Sequence, residues 1–199
     1  MKAFHLNGPG PLYTNSFLLI TESKHAVVID PAASDAAYNE ILVREGAVLT
    51  HIFCTHGHYD HVEYAGALQN KWHAKLWCEA ADTQGNEMFP LSCADSGYAE
   101  GEKIVLDELT FRVWHTPGHT AGSVCILCGG LFFTGDTLFA GDTGRTDLPG
   151  GSFEAMVESC KKIMRLPVPA DAKVLPGHED FSTYAYEMEH NGFICAMCR

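Results

Sequence analysis

Four side chains able to bind a metal ion fall within six consecutive residues, His56 to His61 of Thr55-His56-Gly57-His58-Tyr59-Asp60-His61. Imidazole and carboxylate are common ligands of zinc and iron. His56 and His58 stand two apart, so an extended backbone puts both on one side, whereas a helix would aim them nearly opposite ways. Asp60 and His61 come after the predicted strand has ended, where a turn can aim them at a neighbouring point. Gly57 lets the chain come close to whatever is bound. A polar loop with chance histidines is the plain alternative, and the density of ligand types speaks against it.

Three further candidates stand beside turn signals at predicted strand ends. They are His119 in Thr116-Pro117-Gly118-His119-Thr120, Asp136 in Thr134-Gly135-Asp136-Thr137 and His178 in Pro176-Gly177-His178-Glu179. Singly, a histidine after Pro-Gly reads as an exposed turn residue. Added to the first run, they make five histidines and two aspartates. That is three protein ligands for each of two divalent ions, with one carboxylate to bridge them. Asp136 is the natural bridge, because a carboxylate has two oxygens and this one follows a predicted core strand. A bound divalent ion lowers the pKa of water from ~15.7 to about 7. Two ions ~3.5–4 Å apart can hold the resulting hydroxide and polarise an acyl oxygen. No Ser or Cys nucleophile is then needed, and no Gly-x-Ser-x-Gly run occurs. Asp136 and Asp60 are the candidate catalytic carboxylates, with Asp60 orienting the hydroxide. Zinc leads as the metal; iron and manganese accept the same ligands.

The rest of the chain must bring these residues to one place. Segments 2–6, 13–21, 25–30 and 48–54 read as strands, with a Gly8-Pro9-Gly10-Pro11 turn after the first. Ser34 or Asp35 caps a helix that runs to Glu45 and ends at Gly46. A helix over 62–72 and a short strand over 74–78 follow. Residues 79–101 read as a short helix plus an exposed loop that frames the substrate. Four strands, 103–106, 109–115, 122–128 and 131–134, precede a glycine-rich loop over 135–152. A helix from 152 to about 166, a strand over 172–175 and a helix over 182–190 complete the pattern. No Gly-rich loop after the first strand marks a Rossmann or P-loop site.

Composition bounds the partners. The chain has 199 residues and a net charge of −12, an acidic balance that argues against a nucleic-acid partner. Its 46% hydrophobic content suits one globular domain over 1–199 and rules out disorder. No apolar run approaches a membrane span, and no signal-peptide pattern opens the chain, so a cytoplasmic protein acting on a small molecule is expected. The oligomeric state stays unassigned. Eight scattered cysteines do not suggest a disulfide scaffold. Cys54, Cys78 and Cys160 read as small hydrophobes. Cys125 and Cys128, three apart in a strand, face opposite sides. Cys195 and Cys198 fall in a tail with free backbone, a redox or metal-capturing pair in one reading and two free thiols on a frayed end in the commoner one. Trp72, Trp77, Phe132 and Phe133 are expected in the core.

In order along the chain, Thr-His-Gly-His-Tyr-Asp-His, Pro-Gly-His-Thr, Gly-Asp-Thr-Leu-Phe and Pro-Gly-His-Glu resemble the metallo-β-lactamase superfamily over nearly its whole length. The resemblance implies an α/β fold, the four-layer αβ/βα sandwich, with metals at one edge between two sheets. Within the superfamily, Asn15-Ser16-Phe17, Val28-Ile29-Asp30-Pro31, Thr116–Ser123 and Phe133–Phe139 are similar to the glyoxalase II-like branch. By that resemblance His56, His58 and His119 hold one metal. Asp60, His61 and His178 hold the other, Asp136 bridges, and Asp30 supports the cluster from behind. The implied activity is hydrolysis of a thioester such as S-D-lactoylglutathione, as in hydroxyacylglutathione hydrolase.

Two departures qualify the thiol portion. The C-terminal helical domain that helps full-length glyoxalase II bind glutathione is not expected here. The family's glutathione-contacting Lys and Tyr are replaced by Gly144-Arg145-Thr146-Asp147-Leu148-Pro149-Gly150-Gly151-Ser152, similar to short single-domain bacterial members. Gly-Arg-Thr-Asp is also shared with persulfide dioxygenases. The alternative is therefore a mononuclear iron persulfide dioxygenase, which needs only His56, His119 and Asp136. A non-catalytic metal-binding domain is a third class. Nuclease and β-lactamase roles stand behind these. Arg145 is a candidate for a substrate carboxylate, with a salt bridge to Asp142 or Asp147 as the preferred plain reading. Tyr59 is a candidate substrate contact that could equally pack against the following helix.

Overall fold

Alternation of side chains along the strands sets the layers. In β2 (Asn15–Ile20), Phe17 and Leu19 point one way and Leu18 and Ile20 the other, and all are buried. A strand apolar on both faces must lie between two other layers. The computed structural model describes residues 1–198 and supplies those layers. β1 (Lys2–Asn7), β2, β3 (His25–Ile29), β4 (Val48–Phe53) and β5 (Lys75–Trp77) form one sheet in that order. Its first pairings are antiparallel; β3–β4 and β4–β5 are parallel. The second sheet runs β11 (Ser182–Thr183), β10 (Lys173–Pro176), β9 (Leu131–Gly135), β8 (Val124–Cys128), β7 (Leu109–His115), β6 (Lys103–Leu106). Only β9–β10 is parallel in it.

The inner faces share one core. Phe53 of the first sheet meets Phe111 of the second at 5.0 Å between ring centroids, and Phe17 meets Phe133 at 5.1 Å. Outside the first sheet lie α1 (Asp35–Glu45), α2 (Tyr59–Val62) and α3 (Ala65–Trp72), which bury Tyr38, Leu42, Val62 and Leu68. Outside the second lie α4 (Phe153–Ile163), α5 (Tyr184–His190) and α6 (Gly192–Met197), with Met156, Ile163, Tyr184 and Ile194. This is the expected helix–sheet–sheet–helix sandwich. Burying each such Leu, Ile, Phe or Met contributes roughly 1.5–3 kcal/mol. Cys125 packs outward and Cys128 inward, as their spacing requires. Trp77, Phe132 and Phe133 are buried and Trp72 partly so. Among the described residues no helix is long and apolar enough to cross a membrane.

The expected cap of α1 is present: the Ser34 side chain accepts from the Ala37 N–H, and Gly46 closes the helix at φ 62°. Four local readings need correction. The helix expected over 62–72 is broken, because the Tyr64 N–H donates to the Pro31 carbonyl at 3.0 Å and leaves the helical path. The segment expected as a helix over 182–190 begins as β11, which pairs with β10. Cys195 and Cys198 do not lie on a free tail. The Asn191 side chain accepts from the Ile194 N–H at 3.1 Å, opens α6, and Ile194 is fully buried. The two thiols turn to different carbonyls, Cys195 to Glu189 and Cys198 to Val157. Residues 79–101 are also less exposed than expected, since Asp82, Phe89 and Tyr98 are buried.

Candidate metal centre

β3, β4, β9 and β10 all end at one edge of the sandwich, and the candidate ligands follow from there. The sheets are tied together at this edge. The Val124 N–H donates to the Thr55 carbonyl at 2.8 Å, and the Asn15 side-chain amide donates to the Pro176 carbonyl at 3.0 Å. Asp30 follows β3, His56 and His58 follow β4, Asp136 follows β9 and His178 follows β10. His119 lies in the connection from β7 to β8, and Asp60 and His61 lie in α2.

Seven side chains converge there. His58 Nδ1 stands 3.1 Å from His56 Nε2 and 2.9 Å from His119 Nε2. His178 Nε2 stands 3.3 Å from His61 Nε2 and 3.4 Å from Asp60 Oδ2. Asp136 lies between the two sets. Its Oδ2 is 3.3 Å from His119 Nε2 and 3.4 Å from His178 Nε2, and its Oδ1 is 3.3 Å from His61 Nε2. Ligands placed tetrahedrally about 2.0–2.1 Å from an ion stand about 3.3–3.4 Å apart. The second set and Asp136 match that spacing at 3.3–3.4 Å, and the first set is tighter at 2.9–3.1 Å. Asp136 Oδ1 is buried without a hydrogen bond of good geometry, as a carboxylate aimed at a cation would be. The donor set therefore fits two divalent ions, His56, His58 and His119 holding one and Asp60, His61 and His178 the other.

Two details differ from the sequence expectation. β4 stops at Phe53, so His56 and His58 sit beyond the strand and meet through different ring nitrogens, Nε2 and Nδ1. Asp60 and His61 occupy the first turn of α2 rather than an irregular turn.

Hydrogen bonds orient the rings of His61, His119 and His178 from behind. The Asp30 carboxylate accepts from the Thr55 N–H and hydroxyl, both at 2.7 Å, and from His61 Nδ1 at 3.0 Å. His119 Nδ1 donates to the Arg145 carbonyl at 2.8 Å, and His178 Nδ1 to the Leu12 carbonyl at 3.3 Å. The Thr14 hydroxyl donates to Asp60 Oδ2 at 2.6 Å. Sequence reading missed these last three partners, and it missed Asp82. The Asp82 carboxylate is buried and accepts from the Gly57 N–H at 3.0 Å, the Thr120 hydroxyl at 2.7 Å and the Gly122 N–H at 3.0 Å. It joins the His56–His58 loop to the His119 loop. Gly57 is needed for this approach rather than for a bound group, since a Cβ there would overlap the Asp82 backbone. Gly177 allows a second close approach, where a Cβ would run into Asp136 and His61.

Burial and charge divide the histidines. Burial and the neighbouring imidazoles push His58 down to about 4 and His56 well below its ordinary value. Burial would lower His178 too, but the Asp136 and Asp60 carboxylates outweigh it and push the ring up to about 9. His61 is raised in the same way, by Asp136 and Asp30 against its burial. Burial opposes the charge on Asp136, yet His61 and His178 hold its carboxyl well below the usual range. In the metal-free protein His178 is thus protonated at neutral pH, and its Nε2 must lose that proton to bind an ion. Metal affinity should rise with pH from the ordinary imidazole value of 6.5 up to about 9 and release protons on binding. Calorimetric zinc titrations in buffers of differing ionisation enthalpy measure this; an affinity flat over that range would contradict it.

A cavity of about 600 Å³ opens over the cluster. Leu12, Met88, Phe139 and Leu148 form much of its wall. Met88 belongs to the 79–101 segment, and the neighbouring Phe89 ring stacks on His58 at 4.9 Å between centroids. Tyr59 lines the cavity and is half-exposed, while its N–H donates to the Met88 carbonyl at 3.0 Å. Arg145 also lines the cavity, but its guanidinium holds both oxygens of Asp147 at 2.6 and 2.7 Å. The preferred salt-bridge reading is the one found.

A family model described as Metallo-beta-lactamase superfamily matches residues 9–178. Hydroxyacylglutathione hydrolase GloC of Haemophilus influenzae is 30% identical, over 90% of this chain and 92% of its own length. Among solved structures, the BLEG-1 B3 metallo-beta-lactamase is 29% identical, with a TM-score of 0.86 over 97% of this chain and 99% of its own. ETHE1 from Myxococcus xanthus is also 29% identical, with a TM-score of 0.85 over 98% of this chain and 85% of its own.

Proposed function

The chain belongs to the metallo-beta-lactamase superfamily, and from that premise we propose that it is a dinuclear metal-dependent hydrolase of small thioesters, of hydroxyacylglutathione hydrolase type. One observation supports the reading: seven candidate ligand side chains converge at one sheet edge, with the buried Asp136 carboxylate 3.3–3.4 Å from ring nitrogens of His61, His119 and His178. A divalent ion pair bound there supplies water acidic enough to ionise near pH 7 and Lewis acidity for an acyl oxygen. The chain's own residues do the rest. Asp60, held by the Thr14 hydroxyl, orients the attacking water. Asp30, Arg145 and Leu12 fix the outer nitrogens of His61, His119 and His178, so the inner nitrogens face the ions. The apolar cavity wall shields the ester from bulk water. Zinc suits this ligand set, with iron or manganese as alternatives. The reading places the protein in the cytoplasm with a small-molecule substrate.

The mononuclear dioxygenase alternative uses only His56, His119 and Asp136. The likeness to ETHE1 keeps it in view, but it leaves the convergence of Asp60, His61 and His178 without purpose. Thiol release from S-D-lactoylglutathione by the zinc-loaded protein, followed beside oxygen uptake with glutathione persulfide, separates the two. The hydrolase reading predicts thiol release without oxygen uptake. Oxygen uptake by an iron-loaded protein that releases no thiol overturns it.

A further inference from the structure

The charge pattern of the cavity bears on the thiol half of the substrate, an inference that rests on the hydrolase reading above. Apart from the candidate ligands, the cavity wall carries one permanent cation, Arg145, and one further carboxylate, Glu179. No lysine among the described residues lines it. Arg145 is already engaged, because its Nε and Nη2 donate to the two oxygens of Asp147. A substrate carboxylate arriving there would only replace one already in place. The remaining wall is apolar, with Leu12, Met88, Phe139 and Leu148, and the chain's net −12 is reduced but not cancelled by two divalent ions at the cavity floor, which the acyl end meets. Recognition of an anionic group needs free, convergent donors, and a negative field lowers the encounter rate of anions.

We infer that this site prefers thioesters whose thiol portion is uncharged and apolar, and that carboxylate-bearing thiols such as glutathione make poorer leaving portions here. The acyl end meets the ion pair and the thiol stem lies along Leu12, Met88, Phe139 and Leu148. Arg145, paired with Asp147 outside the cavity lining, adds no net charge to that wall.

A matched pair of substrates tests this: S-lactoyl-N-acetylcysteine and its methyl ester, which differ by a single carboxylate. With the zinc-loaded full chain, kcat/KM should favour the methyl ester by on the order of tenfold or more. The rate on the free acid should rise with ionic strength as repulsion is screened, while the methyl ester stays level. Asp147→Asn, which frees the guanidinium, should raise the kcat/KM ratio of the free acid to the methyl ester severalfold. Equal or better turnover of the free acid by the unmodified protein overturns this inference and leaves the hydrolase reading standing. An Asp147→Asn variant with no gain in the ratio of free acid to methyl ester overturns the role given to the ion pair. Hydrolysis of neither substrate overturns both the inference and the reading it rests on.

Discussion

Replacing Asp136 by alanine should abolish thioester hydrolysis and cost the protein its paired metal binding. The carboxylate is buried and stands 3.3–3.4 Å from ring nitrogens of His61, His119 and His178. No other described acidic residue contacts both ligand sets, so nothing nearby takes its place. The loss of activity should exceed the roughly 10–100-fold that removal of an outer hydrogen-bond partner costs at a metal site. Asp136 also helps keep His61 and His178 protonated in the metal-free protein, so both rings should titrate at lower pH in the variant. Activity, metal content and the imidazole NMR titration check these together. Asp136→Asn keeps the shape with one fewer anionic oxygen and serves as the conservative control. Unchanged activity and metal content in Asp136→Ala would contradict the shared-carboxylate account.

The second large effect is expected at a residue that touches no metal. Asp82→Ala removes one carboxylate that satisfies the Gly57 N–H, the Thr120 hydroxyl and the Gly122 N–H. The Gly57 and Gly122 N–H groups are left without a partner at about 1–3 kcal/mol each, while the Thr120 hydroxyl keeps Ser123 at 2.8 Å, so a loss of stability of about 2 kcal/mol or more is expected. The damage should be uneven. Gly57 lies between His56 and His58, and Thr120 and Gly122 follow His119, so the first ligand set loses its alignment. The second set, Asp60, His61 and His178, is held by Asp30, Thr14 and Leu12 instead. Metal affinity at the first site should fall by about 10–100-fold with the second site little changed. Urea denaturation and a two-step metal titration measure both effects. Equal weakening of the two sites, or none, would contradict the assignment of Asp82 to the first.

Much of this centre was legible before any coordinates. The candidate ligands stand out by density, four within residues 56–61 and three more beside turn signals, and not singly. The strand over 13–21 could be read from its apolar run Phe17-Leu18-Leu19-Ile20, but the four layers came from the family resemblance, since only the structure shows that this strand is buried on both faces. The supports of the ligands were mostly hidden. The carbonyls of Leu12 and Arg145 belong to backbone that every residue type offers, so no letter in the sequence marks them. Asp82 sits in an irregular segment and meets partners 25 to 40 residues away. The break before α3 came from a tertiary bond, Tyr64 to Pro31, that local periodicity does not contain. The cap of α6 is a local one, Asn191 accepting from the Ile194 N–H, at a chain end where frayed backbone is the ordinary expectation. Asp30 was the exception among the supports, and a family resemblance, not its own chemistry, pointed to it.

The central claim is that two ions bound by seven residues act as one hydrolytic centre. Its most direct test is to add zinc stepwise to metal-free protein and record the rate of thioester hydrolysis after each addition. The account predicts that activity climbs to a plateau at two equivalents per chain. A plateau at one equivalent, or hydrolysis by the metal-free chain, would contradict it.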